Sequence, residues 1–163
     1  MKIFKLAIPV LLLVSGCAST LTSNEIVLVD KPLLNMNQKE KWNKMTGKWY
    51  GEQKNKDGGV TKWIKEASHD GSYKIVFRTY LKYGGFSERV EMGQWGVSGP
   101  VYFSIYRGHV VGEMIIKEDP SNPYNYDTYE ILELSDKLFK YKHYDTGGVY
   151  TVKKVSDDFK FTS

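Results

Sequence analysis

The stretch GSYKIVFRTYL, residues 71–81, alternates its side chains with a period of two. One face carries Tyr73, Ile75, Phe77, Thr79 and Leu81. The other face carries Lys74, Val76, Arg78 and Tyr80. Successive side chains of a β-strand point to opposite faces, so this pattern predicts an antiparallel strand with one buried face and one solvated face.

The same period continues in both directions along the chain. It predicts strands near 48–55, 60–68, 72–83, 86–96, 101–107, 110–117, 125–134, 137–144 and 148–156. Glycine-rich runs of the kind that form tight turns separate many of these strands, for example YGG at 83–85 and DTGG at 145–148. Only residues 38–45 favour a short helical turn, which places Trp42 and Met45 on one face.

These patterns predict an all-β fold, an antiparallel up-and-down meander of about eight to nine strands. A long open sheet exposes unpaired strand edges, and closing the sheet into a barrel removes them. We therefore predict a closed barrel, with a short helical turn before its first strand. A membrane-spanning barrel is excluded because one strand face carries Lys74, Arg78 and Lys82, where lipid would require apolar side chains.

The composition is that of a globular protein. The chain has 163 residues, of which 41% are hydrophobic, 26% charged and 14% aromatic. Its formal net charge is +4, and two of the positive charges, Lys2 and Lys5, lie in the leader described next. Because both signs of charge are interspersed elsewhere, the chain lacks the basic patch of a nucleic-acid-binding protein.

The first residues have the layout of a secretory signal peptide. Two lysines precede an uncharged apolar run from Leu6 to Val14, and the small residues Ser15 and Gly16 follow. A membrane-spanning helix needs about 20 apolar residues, which is more than this run provides. We predict that residues 1–16 are a signal peptide; a buried N-terminal strand or helix of the mature fold is the alternative.

The end of this leader, Val14-Ser15-Gly16-Cys17, resembles the bacterial lipobox. The resemblance implies that Cys17, the only cysteine, becomes the first residue of the mature protein and carries a diacylglycerol and a further acyl chain such as palmitate. Several acyl chains would hold the protein firmly in a membrane. Ala18 stands where an aspartate would mark inner-membrane retention, so the resemblance implies the bacterial outer membrane facing the periplasm, or the cell surface.

The mature chain is expected to have two parts. Residues 17–39 lack a sustained period and are predicted to form a tether, and residues 40–163 are predicted to form the barrel domain. The short apolar run at 26–29 either packs on the barrel or belongs to the tether. The sequence leaves both options open.

The stretch KWNKMTGKWYGE, residues 41–52, resembles the start of a lipocalin-type barrel, a member of the calycin group. There a helical turn leads into a G-x-W motif, here Gly47 and Trp49, whose tryptophan closes the base of the barrel. A second stretch, residues 124–129, resembles the lipocalin T-D-Y segment, with Tyr124 and Asn125 departing from it. The family's late-strand arginine, which packs across the tryptophan, is replaced here by Lys153 or Lys154. The resemblance spans residues 41–155.

The sequence contains no recognisable catalytic or metal-binding pattern. His69 and His109 are expected in loops, whereas His143 shares a strand face with Phe139 and Tyr141, and no two histidines have the spacing of metal ligands. The carboxylates of Glu88, Glu91 and Glu130 are scattered among lysines and arginines and are expected on solvated outer faces. We therefore predict no catalytic residue, no metal and no cofactor, and a protein that is not an enzyme.

A barrel of about eight strands either fills itself with side chains or holds one small ligand, and the sequence does not decide between these outcomes. Polar groups that orient a ligand in such a cavity are often tyrosine, arginine or glutamine side chains. The candidates on these strands are Arg78, Tyr80, Arg89, Gln94 and Tyr106. For each of them a solvent-facing position is the alternative, since most polar strand residues face outward.

Two hypotheses of function follow. The first is a membrane-anchored, lipocalin-like barrel that binds a small hydrophobic or amphipathic molecule. The alternative is a protein-interaction module with a filled barrel, such as an envelope assembly factor or an inhibitor of a secreted enzyme. That module would use exposed loops at 97–100, 107–112 and 118–125, because binding residues often lie on loops held by a rigid scaffold.

Overall fold

The computed structural model describes residues 36–162. A helix, α1, spans Met36–Met45 and precedes nine strands. The strands are β1 Gly47–Lys54, β2 Val60–Ala67, β3 Ser72–Tyr80, β4 Phe86–Ser98, β5 Val101–Val111, β6 Met114–Lys117, β7 Tyr126–Leu134, β8 Leu138–His143 and β9 Val149–Val155. One turn of 3-10 helix, Pro123–Asn125, leads into β7.

Every strand pairs antiparallel with its neighbours, and the sheet closes on itself. The order along the sheet is β4-β3-β2-β1-β9-β8-β7-β5-β6, and an additional β4–β5 pairing joins its two ends. The result is a closed barrel of eight strands, with β6 as an extra strand paired only to the end of β5. The predicted all-β, antiparallel barrel with a short helix before its first strand is confirmed.

The one large error in the predicted strands concerns residues 101–117. Strand β5 continues to Val111, the chain turns at Gly112 with a φ of 60°, and β6 begins only at Met114. The register between β4 and β5 shifts at a β-bulge between Met92 and Gly93. Because of this bulge, Gly108 and the residues after it remain paired with β4. His109, expected in a loop, therefore lies in β5, and most of the predicted loop 107–112 is strand.

The barrel is tightly packed at one end, which we call the base. Trp49 is 3% exposed, lies edge-on to Phe139, and donates its indole N–H to the carbonyl of Met45 at 2.8 Å. Helix α1 covers this end, and its Trp42 stacks on Trp95 with the ring centres 4.4 Å apart. Aromatic rings bury large apolar areas, so this cluster supplies much of the barrel's core.

A lysine takes the position that the lipocalin resemblance gives to an arginine. The Nζ atom of Lys154 lies 4.8 Å from the ring centre of Trp49 and donates to the carbonyl oxygens of Lys44, at 2.9 Å, and Thr46. Burial lowers the pKa of Lys154. Gly47 has a φ of 110°, and a Cβ there would lie 3.0 Å from Lys154 Cε, so glycine permits this close approach. Lys153, the other candidate, is exposed.

Several predictions concern residues outside the described range. These are the signal peptide at 1–16, the lipobox with Cys17, and the apolar run at 26–29. Helix α1 begins at Met36, so it includes the last four residues of the stretch 17–39 that was predicted as a tether. Between residues 36 and 162, no helix has both the length and the hydropathy needed to cross a membrane.

Candidate functional site

The barrel is hollow at the end opposite the base, which we call the mouth. A cavity of about 200 Å³ lies between the strands there. Its walls are largely aromatic, formed by Trp63, Phe77, Tyr102, Tyr129, Tyr141 and Tyr150. Polar side chains also reach it, namely Lys65, Tyr73, Glu91, Ser104, Tyr106 and Asp127. Apolar walls with a few convergent polar groups are typical of sites for small molecules.

Lys65 forms the floor of this cavity. A second cavity of only about 20 Å³ lies on the base side, and Lys65 lines both of them. Its Nζ donates to the hydroxyl oxygens of Tyr102 and Ser104, the latter at 3.2 Å, and lies 3.9 Å from the ring centre of Tyr73. No carboxylate within residues 36–162 forms an ion pair with it. Burial lowers the pKa of Lys65 to about 7, although Asp127 and Glu91 act to raise it.

The two carboxylates that line the cavity both have partners. Glu91 pairs with Arg89 at 2.9 Å, and burial raises the pKa of Glu91. Asp127 Oδ1 lies 3.1 Å from Nε2 of His143. The Nδ1 atom of His143 accepts two backbone N–H groups, from Asp145 at 3.1 Å and Thr146 at 3.2 Å, which assigns the ring proton to Nε2 and directs it at Asp127.

Four tyrosines of the cavity hold their protons more tightly than a free phenol does. Burial raises the pKa of Tyr73, Tyr102, Tyr129 and Tyr141. Their hydroxyls can therefore donate hydrogen bonds while their rings provide flat apolar walls. Tyr102 stacks on Tyr129 with the ring centres 5.2 Å apart, and Tyr141 stacks on Tyr150 at 5.4 Å. The cavity thus has pre-arranged surfaces against which a planar molecule can lie.

Two of the five predicted ligand-lining residues face the interior. Tyr106 lines the cavity, and its hydroxyl lies 2.8 Å from Nδ1 of His109. Arg89 is at the mouth, opposite Phe77 in the sheet, with its guanidinium 5.3 Å from the Phe77 ring centre. Its side chain is 66% exposed, so it borders the opening rather than the floor.

Contrary to the prediction, the other three, Arg78, Tyr80 and Gln94, lie on the outer face of the barrel and do not line its interior cavity. Arg78 binds Glu88 at 2.9 Å and the carbonyl of Thr162 at 2.9 Å. The Tyr80 ring faces Lys62 outside the barrel, and Gln94 accepts from Arg107 at 3.2 Å. The odd-numbered residues of β3 and β4 turn inward, and these three residues have even numbers.

The sequence prediction missed Lys65 and Asp127 and misplaced Glu91. Glu91 was expected on a solvated outer face but pairs with Ile75 and His109 on the inner one. For Lys65 a signal existed, because it alternates with Trp63 and Ala67 and so shares their buried face. The predicted alignment of His143 with Phe139 and Tyr141 is confirmed. No group of three or more potential metal ligands forms within residues 36–162.

Comparisons with known proteins assign no family to the chain. No protein-family model matches the chain. No curated protein matches it in sequence either. Among solved structures, the chain is similar to a lipocalin-like protein from Bacteroides uniformis ATCC 8492, with 18% sequence identity and a TM-score of 0.42. That alignment covers 69% of this chain and 99% of the other. Similarity of this degree assigns neither a ligand nor an activity to the chain.

Proposed function

We propose that the protein binds a small amphipathic molecule in the open half of the barrel, and that it acts by binding rather than by catalysis. One observation carries this proposal, the cavity of about 200 Å³ with aromatic walls above a polar floor. The packed base lies on the other side of Lys65, so the ligand would occupy only the mouth half.

The size of the cavity limits the ligand. An engineered protein cavity of about 150 Å³ holds benzene, whereas sites for drug-sized molecules have volumes of about 300–1,000 Å³. The volume here lies between these values, so it suits a single substituted ring rather than a long acyl chain. The hydroxyls around Lys65 would hold the polar end of such a molecule.

A variant that fills the cavity tests this proposal. Ile75 is 8% exposed and lines the cavity, so Ile75→Trp would place an indole in the space meant for ligand. We expect saturation-transfer NMR with 4-methylbenzyl alcohol to detect binding to the unmodified protein and at least about tenfold weaker binding to the variant. Lys74→Trp, on the outer face of the same strand, is the matched control and should bind normally. Equal binding by both variants would place the site outside the barrel.

We also propose that a lipid attached to Cys17 anchors the protein at the bacterial envelope, preferably at the outer membrane. The lipobox resemblance at residues 14–17 supports this location. In a bacterial host, the chain should incorporate labelled palmitate and sediment with membranes. Cys17→Ser should incorporate no label and should leave the membrane fraction. A Cys17→Ser variant that is still labelled and still membrane-bound would contradict the anchor.

A further inference from the structure

We propose that the ligand of the cavity is a small, single-ring aromatic carboxylate, whose carboxylate group pairs with Lys65 and whose ring lies against the tyrosine walls. This inference rests on the proposed function and adds to it the chemical class of the ligand. Three observations lead to it, namely the partners of the charged groups, the donors on the floor and the shape of the walls.

Lys65 is the charged group of the cavity that has no oppositely charged side chain of residues 36–162 in contact with it. Glu91 is paired with Arg89 at 2.9 Å, and Asp127 receives the N–H of His143 at 3.1 Å. The groups in direct contact with Lys65 Nζ are neutral, namely the two hydroxyls and the aromatic ring described above, and Asp127 and Glu91 act on it only from a longer distance. Buried charges in proteins are normally paired, and the one cavity-lining cation without a carboxylate among residues 36–162 stands on the floor. A ligand carboxylate on the floor would supply the direct ion pair that Lys65 lacks.

The floor also provides the hydrogen-bond donors that a carboxylate requires. An ionised carboxylate only accepts hydrogen bonds and has about four lone-pair sites. The Lys65 ammonium, the hydroxyl of Ser104 and the hydroxyl of Tyr102 converge at one point. Hydrogen bonds between charged groups are about twice as strong as neutral ones, so the acid should be preferred over an alcohol of the same shape.

The walls explain why the rest of the ligand should be a ring. Tyr102, Tyr129 and Tyr141 surround the cavity with ring centres 5.2–5.6 Å apart, in stacked and edge-on arrangements. A planar ligand ring can join such a cluster with either geometry. Glu91 and Asp127, which also line the cavity, would repel a second acidic group on the ring. The preferred ligand therefore carries one carboxylate.

Binding of an acid should be coupled to proton uptake. The titratable groups that line the cavity with Lys65 are Tyr73 on β3, Glu91 on β4, Tyr102 and Tyr106 on β5, Asp127 and Tyr129 on β7, Tyr141 on β8 and Tyr150 on β9. In the free protein the pKa of Lys65 is about 7, and a carboxylate beside its Nζ would raise it. Above about pH 7 the Lys65 amine must therefore gain a proton when the acid binds. The affinity of the protein for the acid should then fall by up to about tenfold for each unit by which the pH rises.

The test is isothermal titration calorimetry of the purified protein with benzoate and with benzyl alcohol, which has the same ring but no charge. At about pH 7 we expect benzoate to bind at least about tenfold tighter than benzyl alcohol. At about pH 8.5, titrations in two buffers of different ionisation enthalpy should reveal net proton uptake with benzoate and none with benzyl alcohol.

Two variants complete the experiment. Lys65→Met should lose the preference for benzoate and the proton uptake while it still binds benzyl alcohol. Lys62→Met, an outer-face lysine of the same strand, should behave like the unmodified protein. Benzyl alcohol binding without any preference for benzoate would overturn the ligand class but leave the proposed function standing. If neither benzoate nor benzyl alcohol binds, both the ligand class and the proposed function are overturned. The buffer comparison uses the unmodified protein, so it stands even if Lys65→Met fails to fold.

Discussion

A Trp49→Ala variant is expected to lose about 3–5 kcal/mol of unfolding free energy. Trp49 is 3% exposed, contacts Phe139 edge-on, and bonds the carbonyl of Met45 at 2.8 Å. Removal of the indole would leave a cavity at the base. The ammonium of Lys154, which now lies 4.8 Å from the centre of the indole ring, would lose this contact. Single domains are stable by only about 5–15 kcal/mol, so the loss is a large fraction of the total.

Urea unfolding followed by circular dichroism measures this effect. Tyr83→Ala is the control, because Tyr83 is 92% exposed and its truncation should change the free energy of unfolding by no more than about 0.5 kcal/mol. Trp49→Phe provides a milder change if the alanine variant does not fold. It keeps an aromatic ring but leaves the Met45 carbonyl without its donor, so a loss of about 1–3 kcal/mol is expected. A Trp49→Ala variant as stable as the Tyr83→Ala control would show that the base is not part of the core.

The second large effect concerns Lys65 and pH. The ordinary pKa of a lysine is 10.5, and burial lowers that of Lys65 to about 7 in the folded protein. Between these values the unfolded chain binds more protons than the folded one, so the free energy of unfolding should rise with pH, by about 1 kcal/mol per pH unit. Lys65→Met removes this contribution. The variant should exceed the unmodified protein in stability most at about pH 7, and its advantage should shrink towards about pH 9.

Urea midpoints from about pH 7 to pH 9 test this prediction, because other groups intervene outside that interval. Lys154, whose pKa is also lowered, contributes a slope of the same sign, but it does so in both proteins. The buried tyrosines have raised pKa values, so their contribution declines only above about pH 10, where phenols of the unfolded chain ionise. Lys62→Met should retain the slope of the unmodified protein. The same slope in Lys65→Met would mean that Lys65 is not the titrating group.

Most of the fold follows from the alternation of side chains. The period of two in residues 71–81 extends across the chain, and glycine-rich turns separate many of the strands. Local patterns of this kind are readable because each strand buries one face. The error at 101–117 arose where the bulge opposite Gly93 interrupts the period and Gly112 forms the turn. A bulge is set by pairing with another strand, so the local pattern did not reveal it.

The site was less predictable than the fold. Selecting polar residues by type favoured Arg78, Tyr80 and Gln94, which the strand pairing turns outward. The better criterion was position, because a lysine that alternates with Trp63 and Ala67 must face the core. The contact of Lys65 with Ser104, and the pairing of Ser104 with Asp127, depend on register between distant strands, which no single segment encodes.

We propose that the barrel holds its ligand in the hollow above Lys65. Anomalous diffraction from crystals grown with 4-bromobenzoate tests it most directly. We expect one bromine site inside the barrel, on the mouth side of the tyrosine walls, with the carboxylate within about 3 Å of Lys65 Nζ. Bromine found only on the outer surface, or a mouth half closed by side chains, would contradict it.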